Sequence, residues 1–330
     1  MGNSTTQWQH ALKNSITSPA ELINILKLDL KLLPKAEAAA KLFPLRVPRG
    51  FVARMNKGDV HDPLLKQVLP IGEELLSVAG FSADPLQEAN VNPLPGLLHK
   101  YHSRVLLTLS AACGVNCRFC FRREFAYNEN NPGAKGYEKI LEYIAADTTI
   151  QEVILSGGDP LVATDDHLAR IIQQIADIAH VKILRIHSRM PVVLPERVTD
   201  EFITLLTNTR LKPVMIIHCN HPQEIDEQMT IALTKLHAAR IALLNHTVLL
   251  KGVNDNVEIL AQLSNKLFAA HVLPYYMNLL DKVNGTHQFD IKEDVAISIH
   301  QELRQRLPGY LVPRLAKEVP GAPGKVVISG

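Results

Sequence analysis

Short apolar runs rich in Val, Ile and Leu recur along the chain from residue 105 onward. The six runs occupy residues 105–110, 152–160, 182–189, 213–221, 241–250 and 271–280. The segments between them carry apolar residues at helical spacing, which predicts helices near 136–146, 166–178, 198–207, 223–238 and 256–270. Continuous apolar strands that alternate with helices predict a parallel sheet covered by helices.

The first 95 residues have a different pattern, with helical and loop segments and no strand alternation. Residues 18–28 begin with Ser18, a favourable N-cap, and Pro19 suits the first position of a helix. We therefore expect a separate N-terminal helical region over residues 1–95.

Polar or reactive side chains follow most of the predicted strands, in the sequences SGGD, HSR, HCNH, NHT and YYMNLLD. Several strands that direct such groups to one centre favour a partial barrel over an open doubly wound sheet with a single crevice. None of the runs is followed by GxGxxG or GxxxxGK[ST], so the common nucleotide-binding loops are not expected.

Composition and charge narrow the class of protein further. With 46% hydrophobic and 21% charged residues and a formal net charge of +2, the chain has the composition of an ordinary globular protein and gives no argument for a nucleic-acid partner. Its apolar stretches fall well short of the about 18 residues that span a bilayer, so no membrane partner is expected. The N-terminus lacks the basic and apolar pattern of a secretory signal, and we expect a cytoplasmic protein.

Three of the four cysteines fall close together in CGVNCRFC, as Cys113, Cys117 and Cys120. Their odd number and the expected cytoplasmic location disfavour a disulfide framework. A structural zinc site would need a further ligand such as histidine. A 4Fe-4S cluster held by three thiolates would leave one iron open for a substrate or co-substrate, and the position after the first strand favours this reading.

The CxxxCxxC spacing, together with SGGDP at 156–160, resembles the radical SAM superfamily. From about residue 95 to 325 the chain looks like the lysine 2,3-aminomutase family, because it carries RVLLTLSAACGVNCRFCFRREF, VILSGGDPL, RIHSRMPVVLPERV, HCNHPQEI, HTVLLKGVND and LPYYMNLLD in that family's order. The resemblance implies an isomerase with an α/β fold, a partial (β/α)6 barrel of radical SAM type over 96–300. The N-terminal helical extension precedes the barrel, and a C-terminal segment over 301–330 follows it.

The resemblance also implies three cofactors. The three cysteines would hold the 4Fe-4S cluster, and pyridoxal 5'-phosphate would be carried on Lys325, with its phosphate near Lys100 and Arg104. S-adenosyl-L-methionine would contact Ser156, Gly157, Gly158, Asp159, His218 and His246. Lys100 stands where the family has arginine, and His246 where it has glutamine. The residues alone leave alternatives open. SGGDP is also compatible with a simple strand-to-helix turn. His218 and His246 could be structural histidines, and Lys325 could be an ordinary solvated lysine.

For an amino acid substrate, the resemblance assigns the carboxylate to Arg122 and the distal ammonium to Asp281 and Glu318. Glu318 stands where better-known members of the family have aspartate. From the residues alone, Asp281 and Glu318 could also be ordinary solvated side chains. The leftover thiol, Cys219, lies in an apolar strand and is expected to be buried and inert.

The implied reaction converts L-α-lysine to (R)-β-lysine by a radical 2,3-amino shift, with an electron donor of flavodoxin or ferredoxin type. Only VVISG follows Lys325, and such a chain resembles the bacterial branch that supplies β-lysine for modification of elongation factor P by a separate ligase. Two alternatives are a catabolic or osmolyte-producing amino acid 2,3-aminomutase and a non-catalytic iron–sulfur binding protein.

Overall fold

A nine-stranded sheet runs through the part of the chain described by a computed structural model, residues 6–328. Its strands are β1 (Leu97–Tyr101), β2 (Arg104–Ser110), β3 (Glu152–Gly157), β4 (Ile183–Ser188), β5 (Lys212–His218), β6 (Ala242–Val248), β7 (Leu273–Asn278), β8 (Arg314–Lys317) and β9 (Val326–Val327). They are ordered in space as along the chain. The strands β2 to β8 are parallel, and β1 and β9 pair antiparallel at the two ends.

Helices precede the sheet and connect its parallel strands. They are α1 (Gln7–Lys13), α2 (Pro19–Ile25), α3 (Leu33–Leu42), α4 (Arg49–Val52), α5 (Pro63–Lys66), α6 (Gly133–Ala146), α7 (Asp165–Ala176), α8 (Met190–Val193), α9 (Asp200–Thr207), α10 (Glu227–Ala238), α11 (Val257–Ala269) and α12 (Glu293–Arg306). Side-chain caps fix several starts: Ser18 accepts from the backbone of α2, Thr164 from that of α7 and Asp226 from that of α10. Within residues 6–328 no helix is both long and apolar enough to cross a membrane.

The expected partial barrel is confirmed. Because crossovers between parallel strands are right-handed and the strand order never reverses, the connecting helices collect on one face of the sheet. The six predicted strands are β2 to β7, and the five predicted helices are α6, α7, α9, α10 and α11. The sheet also contains a seventh parallel strand, β8, which was not predicted because four residues are too few for a periodic signal.

The expected N-terminal helices are present as α1 to α5, and no strand of the described sheet begins before Leu97. They do not form a core of their own. Phe51 and Leu22 belong to the same buried cluster as Leu155 and Ile217 of the sheet. The N-terminal region therefore packs directly on the barrel, and the division at residue 95 stays a prediction.

Candidate active site

A cavity of about 640 Å³ opens on the side of the sheet away from the connecting helices. All fifteen residues singled out from the sequence line it: Lys100, Arg104, Cys113, Cys117, Cys120, Arg122, Ser156, Gly157, Gly158, Asp159, His218, His246, Asp281, Glu318 and Lys325. The fold thus brings together groups that are separated by more than 200 positions in the sequence.

The cysteine loop, which comprises residues 111–120, follows β2 and is held by the N-terminal region. The backbone N–H of Asn116 donates to the carbonyl of Arg46 at 2.9 Å, and that of Arg118 donates to the carbonyl of Gln67 at 2.9 Å. The side-chain amide of Asn116 donates to the carbonyl of Pro44, also at 2.9 Å. These contacts order a loop that has no regular secondary structure.

A buried charge cluster fixes the end of the same loop. Glu74 accepts a hydrogen bond from Nε of Arg118 at 2.8 Å and one from Nη2 of Arg123 at 2.8 Å. The Arg118 side chain is fully buried, and its Nη1 also donates to the carbonyl of Phe43 at 2.9 Å. Removing either partner of such a pair would leave an uncompensated charge in the interior, so this cluster strongly constrains the loop.

The three thiols of the loop are free and only partly exposed. Burial and the neighbouring Cys117 raise the pKa of Cys120 to about 11, and burial together with Cys120 raises the pKa of Cys113 well above its usual value. Bound iron would reverse this, because a cation favours the thiolate.

The SGGD sequence at the end of β3 packs against the backbone of the end of β2 and the start of the cysteine loop. Gly157 has a φ of +116°, and a Cβ on it would lie 2.8 Å from the carbonyl oxygen of Ser110. A Cβ on Gly158 would lie 2.4 Å from the carbonyl oxygen of Ala112, so neither position accepts a side chain without a shift. The glycines are thus required for close approach, by the end of β2 at Gly157 and by the cysteine loop at Gly158.

Asp159 holds the next turn. Its carboxylate accepts from Oγ of Ser188 at 2.7 Å and from the backbone N–H groups of Arg189 and Leu161 at 2.8 and 3.0 Å. Burial raises its pKa, against the opposing effect of these hydrogen bonds. The carboxylate therefore positions the segment that follows β4 as well as lining the cavity.

Arg122 is paired with a carboxylate of the protein itself. Its Nε and Nη2 donate to the two oxygens of Glu88 at 2.8 and 2.9 Å, and its Nη1 donates to Oγ of Ser156 at 3.4 Å. Lys100 lies 3.0 Å from the same carboxylate. Burial acts to raise the pKa of Glu88, but Arg122 and Lys100 lower it to about 2. Glu88 therefore stays ionised between two cations.

The hairpin of β8 and β9 presents Lys325 to the cavity. Its Nζ donates to Oδ1 of Asn278 at 3.0 Å and lies 2.8 Å from Oε1 of Glu318. Glu318 also accepts from the hydroxyl of Tyr101. Asp281 lines the same cavity, and burial raises its pKa to about 7. The amine thus lies between acceptors, beside a carboxyl that is only partly ionised at neutral pH.

The remaining basic groups of this wall lie on neighbouring strands. Arg104 on β2 places its guanidinium 4.6 Å from the ring centre of Tyr101. Arg185 on β4 lines the cavity and is paired with Glu152 at 2.5 Å. Two guanidinium groups therefore reach the side of the cavity where β1 to β4 run.

Three histidines on adjacent strands, His187, His218 and His246, form a polar wall of the cavity. Their ligating nitrogens lie within 4.8 Å of one another, a spacing that one transition-metal ion can also bridge. Burial lowers the pKa of His218 to about 4 and those of the other two well below the usual value. Among the described residues, nothing bonds to Nε2 of His187 or His246, so these neutral rings can bind a ligand in the cavity.

Several residues of the site were missed in the sequence. His187 and Arg189 lie in RIHSR, where the polar end of a predicted strand was a usable signal. Asn278 lies in YYMNLLD, another polar strand end, and so carried a usable signal too. Glu88 carried no such signal, because an isolated acid in a loop looks like a solvated residue. Cys219, expected to be inert, is fully buried, and burial raises its pKa well above the usual value.

The comparison with known proteins decides the family. The chain is 49% identical over 320 residues to the L-lysine 2,3-aminomutase of Haemophilus influenzae. The aligned residues cover 97% of this chain and 95% of the relative. The chain belongs to the L-lysine 2,3-aminomutase family. Aminomutases are isomerases, so this is a family of isomerases.

Other members of the L-lysine 2,3-aminomutase family match over the same length. The Escherichia coli relative of that name is 46% identical over 324 residues, which covers 98% of this chain and 94% of the relative. The Clostridium subterminale relative is 36% identical over 323 residues, covering 97% of this chain and 77% of the relative. Residues 103–188 match the model of a 4Fe-4S single cluster domain, and this range includes all three clustered cysteines.

Proposed function

We propose that this chain is an L-lysine 2,3-aminomutase that converts L-α-lysine to (R)-β-lysine by a radical 2,3-amino shift. The observation that carries the proposal is that three free thiols of one loop and the amine of Lys325 line one cavity, in a chain 49% identical to a protein of that name. The shared cavity supports a reaction in which both groups serve one substrate.

The three thiols fit a 4Fe-4S cluster, because they are free, come from one ordered loop and lie in the range that matches a 4Fe-4S single cluster domain. Cys113, Cys117 and Cys120 would hold it and leave one iron for the amino and carboxylate groups of S-adenosyl-L-methionine. When bound and reduced, the cluster supplies the electron that cleaves this co-substrate. The contribution of the protein is to fix the loop through Glu74 and Arg118 and to enclose the reaction.

The surroundings of Lys325 fit pyridoxal 5'-phosphate. Asn278 and Glu318 hold Nζ in place, and Arg104 with Lys100 and Arg185 supplies positive charge for a phosphate. Pyridoxal phosphate supplies a conjugated system that delocalises the unpaired electron during the migration. Burial acts to raise the pKa of Glu318, but Lys325 lowers it, so Glu318 stays ionised and can hold the amine as an ammonium.

The charges of the cavity suit an amino acid with a second ammonium group. Arg122 offers a guanidinium for the α-carboxylate, while Asp281 and Glu318 offer carboxylates for the distal ammonium of lysine. The neutral histidines add polar surface without a charge that would compete for either end of the substrate. These features favour a dibasic amino acid over a neutral one.

We further propose that the β-lysine serves the modification of elongation factor P by a separate ligase in the cytoplasm, with a flavodoxin or ferredoxin as electron donor. The support is the higher identity with the Haemophilus and Escherichia relatives, 49% and 46%, than with the Clostridium relative, 36%. A reducing compartment also suits the free thiols. In a strain lacking this gene, mass spectrometry of elongation factor P should detect only the unmodified protein; unchanged modification would favour the catabolic or osmolyte-producing alternative.

The first test is anaerobic. Protein reconstituted with iron, sulfide and pyridoxal phosphate is given a reductant, S-adenosyl-L-methionine and L-lysine, and (R)-β-lysine is sought by chiral chromatography. Cys117→Ala should lose the cluster absorbance and the cleavage of the co-substrate, whereas Cys219→Ala, the matched control at the buried thiol, should retain both. Cleavage without β-lysine would refute lysine as substrate, and no cleavage by the wild type would favour a non-catalytic iron–sulfur protein.

A further inference from the structure

Arg189, which directly follows β4, reaches the sulfur of one of the clustered cysteines. Its Nη1 donates to Sγ of Cys117 at 2.8 Å, and the residue is only 5% exposed. Arg122 contacts a serine and a carboxylate instead, and Arg46 contacts the backbone carbonyl of Cys113 at 3.3 Å. Arg189 thus differs from these neighbours in that its contact is with the sulfur itself.

The guanidinium of Arg189 is held from its other side by two fully buried side chains. Nη2 donates to Oε1 of Gln67 at 2.6 Å and to Oε2 of Glu224 at 3.1 Å. The second oxygen of Glu224 accepts from the backbone N–H groups of Asn220 and His221, both at 3.1 Å. The donor that faces Cys117 is therefore fixed by the fold and does not depend on a mobile side chain.

Arg189 also keeps its positive charge in this buried place. A guanidinium stays protonated in proteins, and the Glu224 carboxylate, 3.1 Å from Nη2, balances its charge. The rings of Phe51 and Phe119 flank the guanidinium, with their centres 5.7 and 5.3 Å from Cζ. Since these rings exclude water, the charge at the sulfur is poorly screened.

We propose that Arg189 tunes the reduction potential of the iron–sulfur cluster, by a hydrogen bond to the Cys117 sulfur and a buried positive charge beside it. The inference rests on the proposed function, which supplies the cluster. Reduction adds negative charge to the cluster, and hydrogen bonds to sulfur and nearby cations favour the reduced form. Arg189 is thus a positioning and tuning residue that makes the cluster easier to reduce.

The test is a redox titration of the reconstituted protein followed by electron paramagnetic resonance of the reduced cluster. We compare the variants at the potential where the wild-type cluster is half reduced. There the ratio of reduced to oxidised cluster should fall about tenfold in Arg189→Met. For a one-electron couple this corresponds to a reduction potential lower by about 59 mV. Arg189→Lys keeps the charge and should shift the potential less. The matched control is Arg197→Met, because Arg197 is an equally buried arginine that binds Asp165 at 2.6 Å and contacts no clustered cysteine.

If Arg189→Met takes up no cluster, a second measurement still tests the hydrogen bond to Cys117. Resonance Raman spectra of the wild type in H2O and D2O should show a deuterium-sensitive shift in the Fe–Sγ stretching bands, and this shift should be lost in Arg189→Lys. Equal potentials in wild type and Arg189→Met, or no deuterium-sensitive shift in the wild type, would overturn the inference alone. A wild-type protein that binds no cluster would overturn the proposed function and this inference with it.

Discussion

Arg122 and Glu88 form a two-pronged ion pair inside the cavity, with the guanidinium donating to both carboxylate oxygens at 2.8 and 2.9 Å. Glu88 thereby occupies the face of Arg122 that would suit the carboxylate of a substrate. Lys100 lies 3.0 Å from the same acid, so one carboxylate of the protein controls two cations that line the site.

Replacing Glu88 should therefore change substrate binding. In Glu88→Gln the negative charge that competes for Arg122 is gone, and we expect the dissociation constant for L-lysine to fall several-fold in calorimetric titrations of the reconstituted protein. Glu73→Gln is the control, since Glu73 lies nearby in sequence and outside the cavity lining. Weaker binding in Glu88→Gln would mean that the acid orients Arg122 for the substrate and does not compete with it.

The same acid should contribute to stability in a pH-dependent way. Its pKa is about 2 in the folded protein and about 4.3 in an unfolded chain, so its contribution is complete above about pH 4.3 and is lost as the pH falls towards 2. The contribution is about 3 kcal/mol at neutral pH. Denaturant unfolding at a series of pH values should show the stability gap between wild type and Glu88→Gln shrinking below about pH 4.3. A gap that is constant with pH would contradict the ion pair.

Lys325 is expected to carry the pyridoxal phosphate. After reduction with borohydride, peptide mapping of the reconstituted wild type should find the pyridoxyl group on Lys325, and Lys325→Ala should carry none. The control is Lys317→Ala, because Lys317 lies on the same hairpin, at the end of β8, and pairs at the surface with Glu293. Label on another lysine in the wild type would reject the assignment.

Asp281 should make lysine binding depend on pH near neutrality. Burial raises its pKa to about 7, and only its ionised form attracts an ammonium group, so affinity for L-lysine should rise as the pH increases through about 7. Asp281→Asn should bind lysine more weakly, without this pH dependence, while slow uncoupled cleavage of S-adenosyl-L-methionine persists. Asp200→Asn, at an exposed position of α9, should keep the profile of the wild type. A normal profile in Asp281→Asn would remove this residue from the substrate site.

Much of the fold was predictable because six strands and five helices carry strong periodic signals. The strands β1, β8 and β9 were not, since their five, four and two residues are too few for a periodic signal and are ordered by pairing with neighbouring strands. Helix α12 was missed because its polar residues, as in QELRQR, conceal a narrow apolar stripe formed by Ala296, Ile299 and Leu303.

The candidate site was predictable where its residues form local motifs, as in the cysteine loop and SGGD. It was not predictable where a residue acts through a partner far along the chain. Glu88 acquires its significance from Arg122, which lies 34 positions away, and Glu224 from Gln67, which lies 157 positions away. Such pairs depend on packing, and no local pattern in the sequence marks them.

The anchoring of the cysteine loop on Arg46, Gln67 and Glu74 couples two processes that would otherwise be independent. Since these contacts and a bound cluster would stabilise the same loop conformation, docking of the N-terminal region and uptake of iron would be thermodynamically linked. Each should strengthen the other by the same free energy. The N-terminal region would therefore act as an intramolecular assembly factor for the proposed metal centre, and a barrel separated from it would lose affinity for iron before it lost its sheet.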